Sequence, residues 1–412
     1  MHFRLSLHLT LAALLLLSTL SSSLAFAQKP VKRSRGKGVS GRVATATVNP
    51  GDVIISEFRF SGGNGAQDEF IELYNNTDTD IVVASSDNSA GWRLASSDGS
   101  LNFTIPNGDL IPARGHYLIV NADGYSLGGY PSNTPGVGGT TGDRSYTGDV
   151  PDKDVGIVLL RGADSFTLED RLDAVGPTGE VEAFYKEGNG LPSIPGNPGH
   201  DYSFYRNLAS GLPADSDDNE ADFILVSTDL SLSGAVLGAS GPENTGSPIQ
   251  RNAALKASLV DPQCSGGGAP TSACARVRSG AGANPVNAAY GTLAIRRKFT
   301  NTTTGSVTRL RFRVTNITTA TESGTTADLR VIGGSGNFSA NTTAGDSVTI
   351  ERLTLEQPPV QPLGGAFNST LSADTVTLRQ PLSPGASINV EFLLGVQLDG
   401  IYRFFVNVEA LP

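Results

Sequence analysis

Apolar and polar residues alternate with a period of two along much of the chain, which is typical of β-strands that bury one face. Residues 53–60 read VIISEFRF. One alternating set is predicted to face a core, namely Ile54, Ser56, Phe58 and Phe60. Glu57 and Arg59 belong to the opposite set, so this first strand is predicted to be buried on one side only.

The same alternation recurs over the next hundred residues, between turn-forming sequences. In EFIELY at 69–74, Ile71 and Leu73 share a face, and the Asn-Asn pair that follows favours a turn. Further strands are predicted in GWRL, FTI, YLIV and VGIVLL, with the turn sequences SSDGS and PARG between the earlier ones. Short strands separated by such turns indicate an all-β domain.

Four segments follow one another in a fixed order between residues 53 and 120: VIISEFRF, EFIELYNN, GWRLASSDG and FTIPNGDLIPARGHYLIVN. This order resembles the lamin tail domain, and weaker similarity extends it to about residues 50–230. The resemblance implies a small immunoglobulin-like β-sandwich that serves attachment or scaffolding without chemistry of its own. Insertions at 121–154 and 187–200 depart from a minimal domain, and long connections of this kind are usually functional or disordered.

A second set of strands follows a segment rich in Gly, Ser, Pro and Asn. Short alternating segments between residues 254 and 409 predict another sandwich, and the 49 glycines, 23 prolines and 17% charged residues fit short strands joined by turns. The predicted fold class is all-β, with two immunoglobulin-like β-sandwich domains in tandem after a cleaved signal peptide. The predicted order is signal peptide 1–27, basic flexible linker 28–48, lamin tail-like sandwich 49–232, linker 233–252 and C-terminal sandwich with a disulfide-closed loop 253–412.

The N-terminus has the three parts of a Sec signal. Arg4 provides the positive region, residues 11–17 the apolar region, and Ala25-Phe26-Ala27 the cleavage sequence, which predicts cleavage before Gln28. An uncleaved membrane anchor is the alternative, but the apolar run is short for a span of about 20 residues and serines interrupt it. We therefore expect an extracellular, periplasmic or cell-surface protein whose mature chain has no transmembrane segment.

Charge is distributed unevenly. The basic linker holds six cations and no acid: Lys29, Lys32, Arg33, Arg35, Lys37 and Arg42. Because these six and Arg4 account for seven positive charges, residues 43–412 carry −17 against −10 for the whole chain. The basic segment could attract anionic envelope polymers, or it could be a solvated linker after the signal.

Cys264 and Cys274 are the only cysteines. In an exported chain, two cysteines ten residues apart are most simply a disulfide, here one that closes the loop CSGGGAPTSAC. Free thiols are the alternative. Neither cysteine has a nearby histidine in the sequence, which disfavours a metal site.

No familiar catalytic motif is present. The predicted mature chain has two histidines, His116 and His200, and lacks a GxSxG elbow, an HExxH, a P-loop and a CxxC pair. Glu57, Glu69 and Glu72 lie on adjacent predicted strands, but partnership with Arg59 or an exposed face explains them more simply than an acid–base pair. The sequence predicts no enzyme, no catalytic residue and no specific nucleic-acid motif.

An acidic run near residue 220 is the best metal candidate. Its oxygen-bearing side chains are Asp215, Asp217, Asp218, Asn219 and Asp222. Calcium prefers six to eight oxygen ligands, so Ca²⁺ is the one cofactor that the sequence suggests, although the run lacks the glycine and the distal glutamate of an EF-hand. Capping of backbone amides is the alternative, because carboxylates in turns do this without a metal.

Cations alternate with other residues in the predicted C-terminal sandwich. If the strands around residues 291–300 and 307–315 pair as a hairpin, five cations line one face: Arg296, Lys298, Arg309, Arg311 and Arg313. Such a face would meet an anionic glycan, a nucleic acid or an acidic protein. Neutralisation within the sheet, by Glu391 or Glu351, is the alternative.

Tyrosines in the first insertion offer flat apolar faces with polar tips, which could stack on sugar rings. They are Tyr125, Tyr130 and Tyr146. The alternative is that each covers a loop against the sandwich.

These features predict a secreted or cell-envelope protein without enzymatic activity, whose lamin tail-like domain serves binding, adhesion or scaffolding. The alternatives are a carbohydrate- or calcium-dependent recognition module and an accessory protein of an extracellular hydrolase or nuclease. The expected partner is a cell-envelope glycan, a polyanion or another protein.

Overall fold

β-Strands make up nearly all the regular structure in the computed structural model. The structure describes residues 47–127, 140–151, 154–192, 200–208, 210–228, 232–249, 254–280, 286–320, 327–357 and 364–411. The predicted signal peptide and all but the last two residues of the predicted basic linker lie outside this range. Among the described residues, no helix has the length and apolarity needed to cross a membrane.

Two sheets face each other in the N-terminal half, which we call the first sandwich. One has the strand order β13-β12-β11-β1-β2-β7-β8 and the other β10-β9-β4-β5. The elements are β1 (Val53–Arg59), β2 (Phe70–Asn75), β3 (Ile81–Val82), β4 (Gly91–Ser96), β5 (Asn102–Pro106), β6 (Leu110–Ile111), β7 (His116–Asn121), β8 (Arg144–Tyr146), β9 (Ile157–Leu160), β10 (Arg171–Val175), β11 (Tyr202–Arg206), α1 (Asn219–Asp222), β12 (Phe223–Ser227) and β13 (Val236–Leu237).

The core of the first sandwich takes apolar side chains from both sheets. Phe58 and Ile71 from the larger sheet join Trp92 and Leu159 from the smaller one, and all four are fully buried. The face that Ile71 shares with Leu73 is the core face, as the alternation predicts.

Two further sheets form the second sandwich. One has the order β14-β16-β23-β20-β19, with β15 on β16 and β18 on β23, and the other β21-β22-β17-β24. The strands are β14 (Leu255–Ser258), β15 (Arg276–Ser279), β16 (Thr292–Asn301), β17 (Val307–Ile317), β18 (Asp328–Val331), β19 (Asn337–Asn341), β20 (Ser347–Arg352), β21 (Thr354–Gln357), β22 (Thr370–Leu382), β23 (Ser387–Leu398) and β24 (Phe404–Leu411). Phe299, Phe312 and Phe392 pack in its core, with ring centroids 4.8 and 5.0 Å apart. The all-β tandem-sandwich prediction is therefore confirmed.

The predicted core face of β1 is partly wrong. The register against β2 shifts between Ile55 and Glu57, so a β-bulge lies at Ser56. The core consequently takes Val53 and Ile55 before the bulge and Phe58 after it, and Ile54 lies outside the core cluster. Every residue of β1 is buried, because its second face is covered as well.

The predicted hairpin between β16 and β17 is also wrong. β16 pairs with β14, β15 and β23, whereas β17 pairs with β22 and β24 in the opposite sheet. The chain between these strands therefore crosses from one layer of the sandwich to the other, and the five predicted cations do not share a face.

The predicted disulfide is present. Cys264 and Cys274 are bonded through their sulfur atoms and close a loop beside β15. Arg296 on β16 holds this loop against the sheet, since its guanidinium donates a 3.0 Å hydrogen bond to the carbonyl of Pro270.

Candidate functional site

The most extensive buried ionic network of the described residues lies where the two sandwiches meet. We call it the junction and define it by Glu57, Glu72, His116, Glu243, Arg311, Arg313 and Glu409. All seven are at most 7% exposed. Buried charges are costly unless they are paired and hydrogen-bonded, so a network of this size requires a structural or chemical explanation.

The first sandwich contributes three side chains from adjacent strands. Glu57 on β1 and Glu72 on β2 are directly paired across the strands, so their carboxyl groups lie on the same outer face. His116 on β7 reaches this face, and its Nδ1 lies 3.0 Å from Glu72 Oε1. Like charges placed side by side on a sheet repel each other, so this face needs compensating groups.

The segment between the sandwiches, residues 238–249 after β13, provides some of that compensation through its backbone. The N–H of Gly241 donates to Glu57 Oε1 at 3.0 Å, and the N–H of Glu243 donates to Glu72 Oε2 at 2.6 Å. Thr245 continues the attachment by donating its hydroxyl to Asp143 at 2.6 Å. The segment between the sandwiches is thus hydrogen-bonded along the outer face of the first one.

The second sandwich provides the cations. Arg311 and Arg313 alternate along β17, and each donates through Nε to the Glu409 carboxylate on β24 at 2.7 Å. Arg313 also contacts Glu243 Oε2 at 2.9 Å, and Arg311 contacts the other oxygen of the same carboxylate. Glu243 therefore joins the segment between the sandwiches to the arginines of the second sandwich.

Further contacts fix Arg313 in this position. Its guanidinium donates to the side-chain oxygen of Asn368 and lies over the ring of Tyr205, 5.5 Å from the centroid. Tyr205 belongs to β11 of the first sandwich, and its ring packs edge-on against Phe367 of the second. Arginine favours such sites because its planar group makes several hydrogen bonds and stacks on aromatic rings.

Carboxyl groups outnumber guanidinium groups in the junction, and this changes their ionisation. Burial, followed by repulsion from Glu72, raises the pKa of Glu57 to about 8. Burial opposes ionisation of Glu409 as well, but Arg311 and Arg313 outweigh it and lower the pKa of that carboxyl. Glu57 is consequently protonated at neutral pH, while Glu409 is the anion that both arginines share.

His116 lies between the carboxyl groups of Glu72 and Glu243. Its Nε2 lies 3.0 Å from Glu243 Oε2, and one atom each of His116, Glu72 and Glu243 lie within 4.8 Å of one another. A divalent metal fits this trio poorly, because Arg311 and Arg313 already place positive charge on Glu243. All three side chains are 1% exposed, so no substrate reaches them in this arrangement.

A second buried network, which we call the Arg206 cluster, lies within the first sandwich. Arg206 on β11 is fully buried and pairs with Asp173 at 2.8 Å, Asp215 at 3.2 Å and Asp222 at 3.4 Å. Burial, followed by repulsion from Asp173, raises the pKa of the neighbouring Glu187 to about 9. Here too the carboxyls exceed the arginines that face them.

The structure divides the side chains of the predicted calcium loop. Asp215 and Asp222 contact Arg206. Asp218 is the N-cap of α1, and the buried Asn219 donates to the carbonyl of Ala174 and accepts from two backbone N–H groups. Asp217 has a positive φ of 56°. These contacts agree with the capping alternative.

The acids that do approach one another near this loop are a different set. Oxygens of Asp173, Glu187 and Asp215 lie within 4.8 Å of one another among the described residues. Asp173 already accepts hydrogen bonds from Arg206 and from the N–H groups of Ile55 and Ala174, so few of its lone pairs remain for a metal. Calcium binding by the loop stays a prediction.

The predicted cation face is divided between two sheets. Arg311 and Arg313 belong to the junction, whereas Arg296 pairs with Glu391 at 2.8 Å, as the neutralisation alternative predicts for that residue. Arg309 donates to the carbonyl of Gly246, and Lys298 is half-buried on β16. Polyanion binding by these residues stays a prediction, but no face formed by all five exists.

The structure describes two of the three tyrosines of the predicted sugar site, and both contact other parts of the first sandwich. Tyr125 donates to the carbonyl of Thr140 at 2.9 Å and packs edge-on against Phe70. Tyr146 is buried and donates to Glu69 at 2.8 Å. Tyr130 lies outside the described residues. The two described tyrosines thus hold their loops against the sandwich.

Sequence reasoning missed the junction because its members look ordinary one by one. The sequence predicts that Glu57 and Glu72 pair with Arg59 or are exposed, but Arg59 pairs with Asp68 and Asp201 instead. Glu243 falls in the Gly/Pro-rich linker, where a single acid carries no signal. The alternating arginines of β17 were the one available signal, and they lacked an identifiable partner.

A comparison with protein families gives one match. The model of the Lamin Tail Domain family matches residues 46–178. The C-terminal region has no family match, and no curated protein matches the chain. β11 and β12 follow the matched range, yet β11 pairs with β1 and completes the larger sheet. Residues 46–178, at the start of the first sandwich, are therefore similar to the Lamin Tail Domain family, as the order of segments from VIISEFRF onward predicts.

Proposed function

We propose that this chain is an exported, non-catalytic attachment protein of the cell envelope or extracellular space, built as a rigid scaffold of two docked sandwiches. The observation that carries the proposal is the junction. Its ion pairs and hydrogen bonds connect the first sandwich, the intervening segment and the second sandwich within one buried network. Interfaces between domains of one chain are usually looser and permit relative motion.

The chemistry of the buried clusters supports a non-catalytic role. Acid–base catalysis needs a titratable group within hydrogen-bonding reach of the substrate. In the described part of the chain, two groups of three side chains have the types and spacing that could hold a metal. One is His116, Glu72 and Glu243, and the other is Asp173, Glu187 and Asp215. Both groups have arginine partners, and all their members except Asp215 are buried. The lamin tail match also favours a domain without chemistry of its own.

Export is supported by the N-terminal sequence and by the disulfide. Arg4, the apolar run and Ala25-Phe26-Ala27 have the order of a Sec signal. The Cys264–Cys274 bond is typical of proteins that fold in oxidising compartments.

Cell fractionation tests the export part of the proposal. Cells that express the full chain are separated into cytoplasm, envelope and medium, and the N-terminus of the recovered protein is sequenced. We expect a chain that begins at Gln28 in the envelope or the medium. An intact signal sequence in the cytoplasm would contradict export.

Co-sedimentation tests attachment. The exported chain is mixed with envelope fragments and centrifuged, and we expect it in the pellet, whereas an unrelated exported protein of similar net charge stays in the supernatant. Arg313→Met, which removes a junction cation, should reduce pelleting if a rigid pair of sandwiches is needed. Equal recovery of both proteins in the supernatant would contradict the attachment function.

A further inference from the structure

A groove of 640 Å³ lies between the two sandwiches, beside the junction. Its walls include Leu208 and Ile224 of the first sandwich and Phe367 and Phe405 of the second. Pockets for small ligands usually have volumes of roughly 300 to 1,000 Å³, and they combine apolar walls with a few polar groups. The size and position of this groove therefore suit a ligand that both sandwiches contact.

The groove continues the junction face of β24. Alternate residues of a strand share a face, so Phe405, Asn407 and Glu409 lie on one side of β24, and Phe404 and Val406 pack toward the core on the other. Exposure increases along this face, from 0% at Glu409 to 59% at Phe405. Phe405 is thus an aromatic ring on a polar face and not an outlying part of the core.

Two amide side chains, those of Asn316 and Asn407, line the groove beside the Phe405 ring. Asn316 on β17 is directly paired with Phe405, so the exposed amide and the exposed ring lie side by side. The side-chain nitrogen of Asn407 is buried and has no hydrogen-bond partner among the described residues. A buried donor without an acceptor costs about 1 to 3 kcal/mol. Asn407 is half-buried and lines the groove, so rotation of its amide toward a ligand hydroxyl would remove that cost.

The charge of the groove restricts the ligand. Among the described residues that line it, none is charged, although the chain as a whole carries −10. A polyanion would find no cation in the groove and would be repelled by the acidic body. A basic ligand would find no carboxylate there.

Strand addition is a less favourable use of this edge. An extended peptide would need the free backbone edge of β24. The segment between the sandwiches already occupies one end of that edge, because the N–H of Ala410 donates to the carbonyl of Ile249 at 3.1 Å. Recognition through side chains suits the groove better than an additional strand.

We propose that this groove binds a neutral oligosaccharide, with Phe405 stacking against a sugar ring and with Asn316 and Asn407 hydrogen-bonding to sugar hydroxyls. Aromatic faces and uncharged amides complement the apolar faces and the hydroxyl groups of sugars. The inference rests on the proposed attachment function and names its ligand class. It places carbohydrate recognition between the sandwiches and not at the tyrosine-bearing insertion.

Calorimetric titration of the exported chain with maltohexaose, cellohexaose and chitohexaose tests the proposal. We expect at least one of the three to bind, and Phe405→Ala to weaken that binding by about tenfold, a typical effect of losing an aromatic contact. Phe405→Tyr keeps a ring and should bind within a few-fold of the natural chain. Phe166→Ala is the matched control, because Phe166 is 49% exposed in the first sandwich and lies outside the groove.

Three outcomes overturn the proposal: none of the hexasaccharides binds, Phe405→Ala binds as tightly as the natural chain, or uncharged extended peptides bind in place of sugars. Co-sedimentation separates this failure from failure of the attachment function. If Phe405→Ala loses no pelleting and no sugar binds, attachment uses another surface and only the groove proposal fails. If the natural chain neither pellets nor binds a sugar, both proposals fail.

Discussion

The Arg206 cluster and the junction contain the same chemistry but hold different levels of structure together. Each surrounds buried guanidinium groups with more carboxyls than those groups can neutralise, and each includes one glutamic acid whose pKa is raised to about 8 or 9. The Arg206 cluster joins β11, β10 and the loop before α1 within the first sandwich. The junction joins that sandwich to the second one.

The difference shows what a buried ion pair contributes in each place. Replacing a complete buried ion network by apolar residues is often neutral or stabilising, whereas removing one partner is strongly destabilising. Buried pairs therefore select an arrangement more than they stabilise it. In the first sandwich the selected arrangement is the fold, and at the junction it is the orientation of two domains.

Loss of Arg206 should have the largest effect. Arg206→Met leaves Asp173 buried without its cation, and we expect the free energy of unfolding of the first sandwich to fall by about 3 to 5 kcal/mol. Trp92, the only tryptophan, lies in the core of that sandwich, so its fluorescence in a denaturant titration measures this loss. Arg144→Met is the control in the same sandwich, because the Arg144 side chain is 45% exposed and its surface pair with Asp109 should contribute at most about 1 kcal/mol. An equal effect of both variants would refute a special role for Arg206.

Loss of Arg313 should separate the domains and leave both folded. Arg313→Met leaves Glu243 and Glu409 to share Arg311 alone, which we expect to cost the docked arrangement about 3 kcal/mol. Calorimetry should then resolve two unfolding transitions, while the Trp92 midpoint changes little. Proteolysis in the segment between the sandwiches should accelerate. A single transition at a lower temperature would show that the second sandwich depends on the junction to fold.

Raised pKa values make both clusters less stable as pH rises. Glu57 titrates near 4.5 in an unfolded chain and at about 8 in the folded one, so between these values the folded state binds more protons. Stability therefore falls by up to about 1.4 kcal/mol per pH unit across that window and stays low above it. Glu187 behaves alike up to about pH 9.

Glutamine variants distinguish the two clusters in this respect. At pH 9, Glu57→Gln should stabilise the docked state by about 2 kcal/mol, and Glu187→Gln should do the same for the first sandwich, because neither amide loses a proton. Calorimetry between pH 5 and 9 measures both effects. If both variants keep the pH dependence of the natural chain, other groups produce it.

Calcium should have the smallest effect. Because Arg206 already lies against Asp215 and Asp222, millimolar Ca²⁺ should leave the Trp92 unfolding midpoint of the natural chain unchanged, and it should likewise leave Asp217→Ala at its own calcium-free midpoint. A rise in the midpoint that disappears in Asp217→Ala would establish a calcium site. The Arg206 cluster and the junction would then differ in their chemistry.

The sequence by itself determined the class of fold and much of the first sandwich. Alternation at Ile71 and Leu73 identified the core face, because side chains on a strand point to opposite sides in turn. The ordered segments predicted the similarity to the Lamin Tail Domain family, and the two cysteines predicted their bond. All of these signals are local or depend on residues that have no other possible partner.

Only the tertiary structure decided which outer faces meet water and which meet another domain. Glu57 and Glu72 have the same sequence pattern whether solvent or a second sandwich covers them. The bulge at Ser56 and the placement of β16 and β17 in different sheets depend on strand pairing, which a period of two leaves open. Glu243 acquires its partners only when β17 docks, because contacts between distant residues form by packing and not by periodicity.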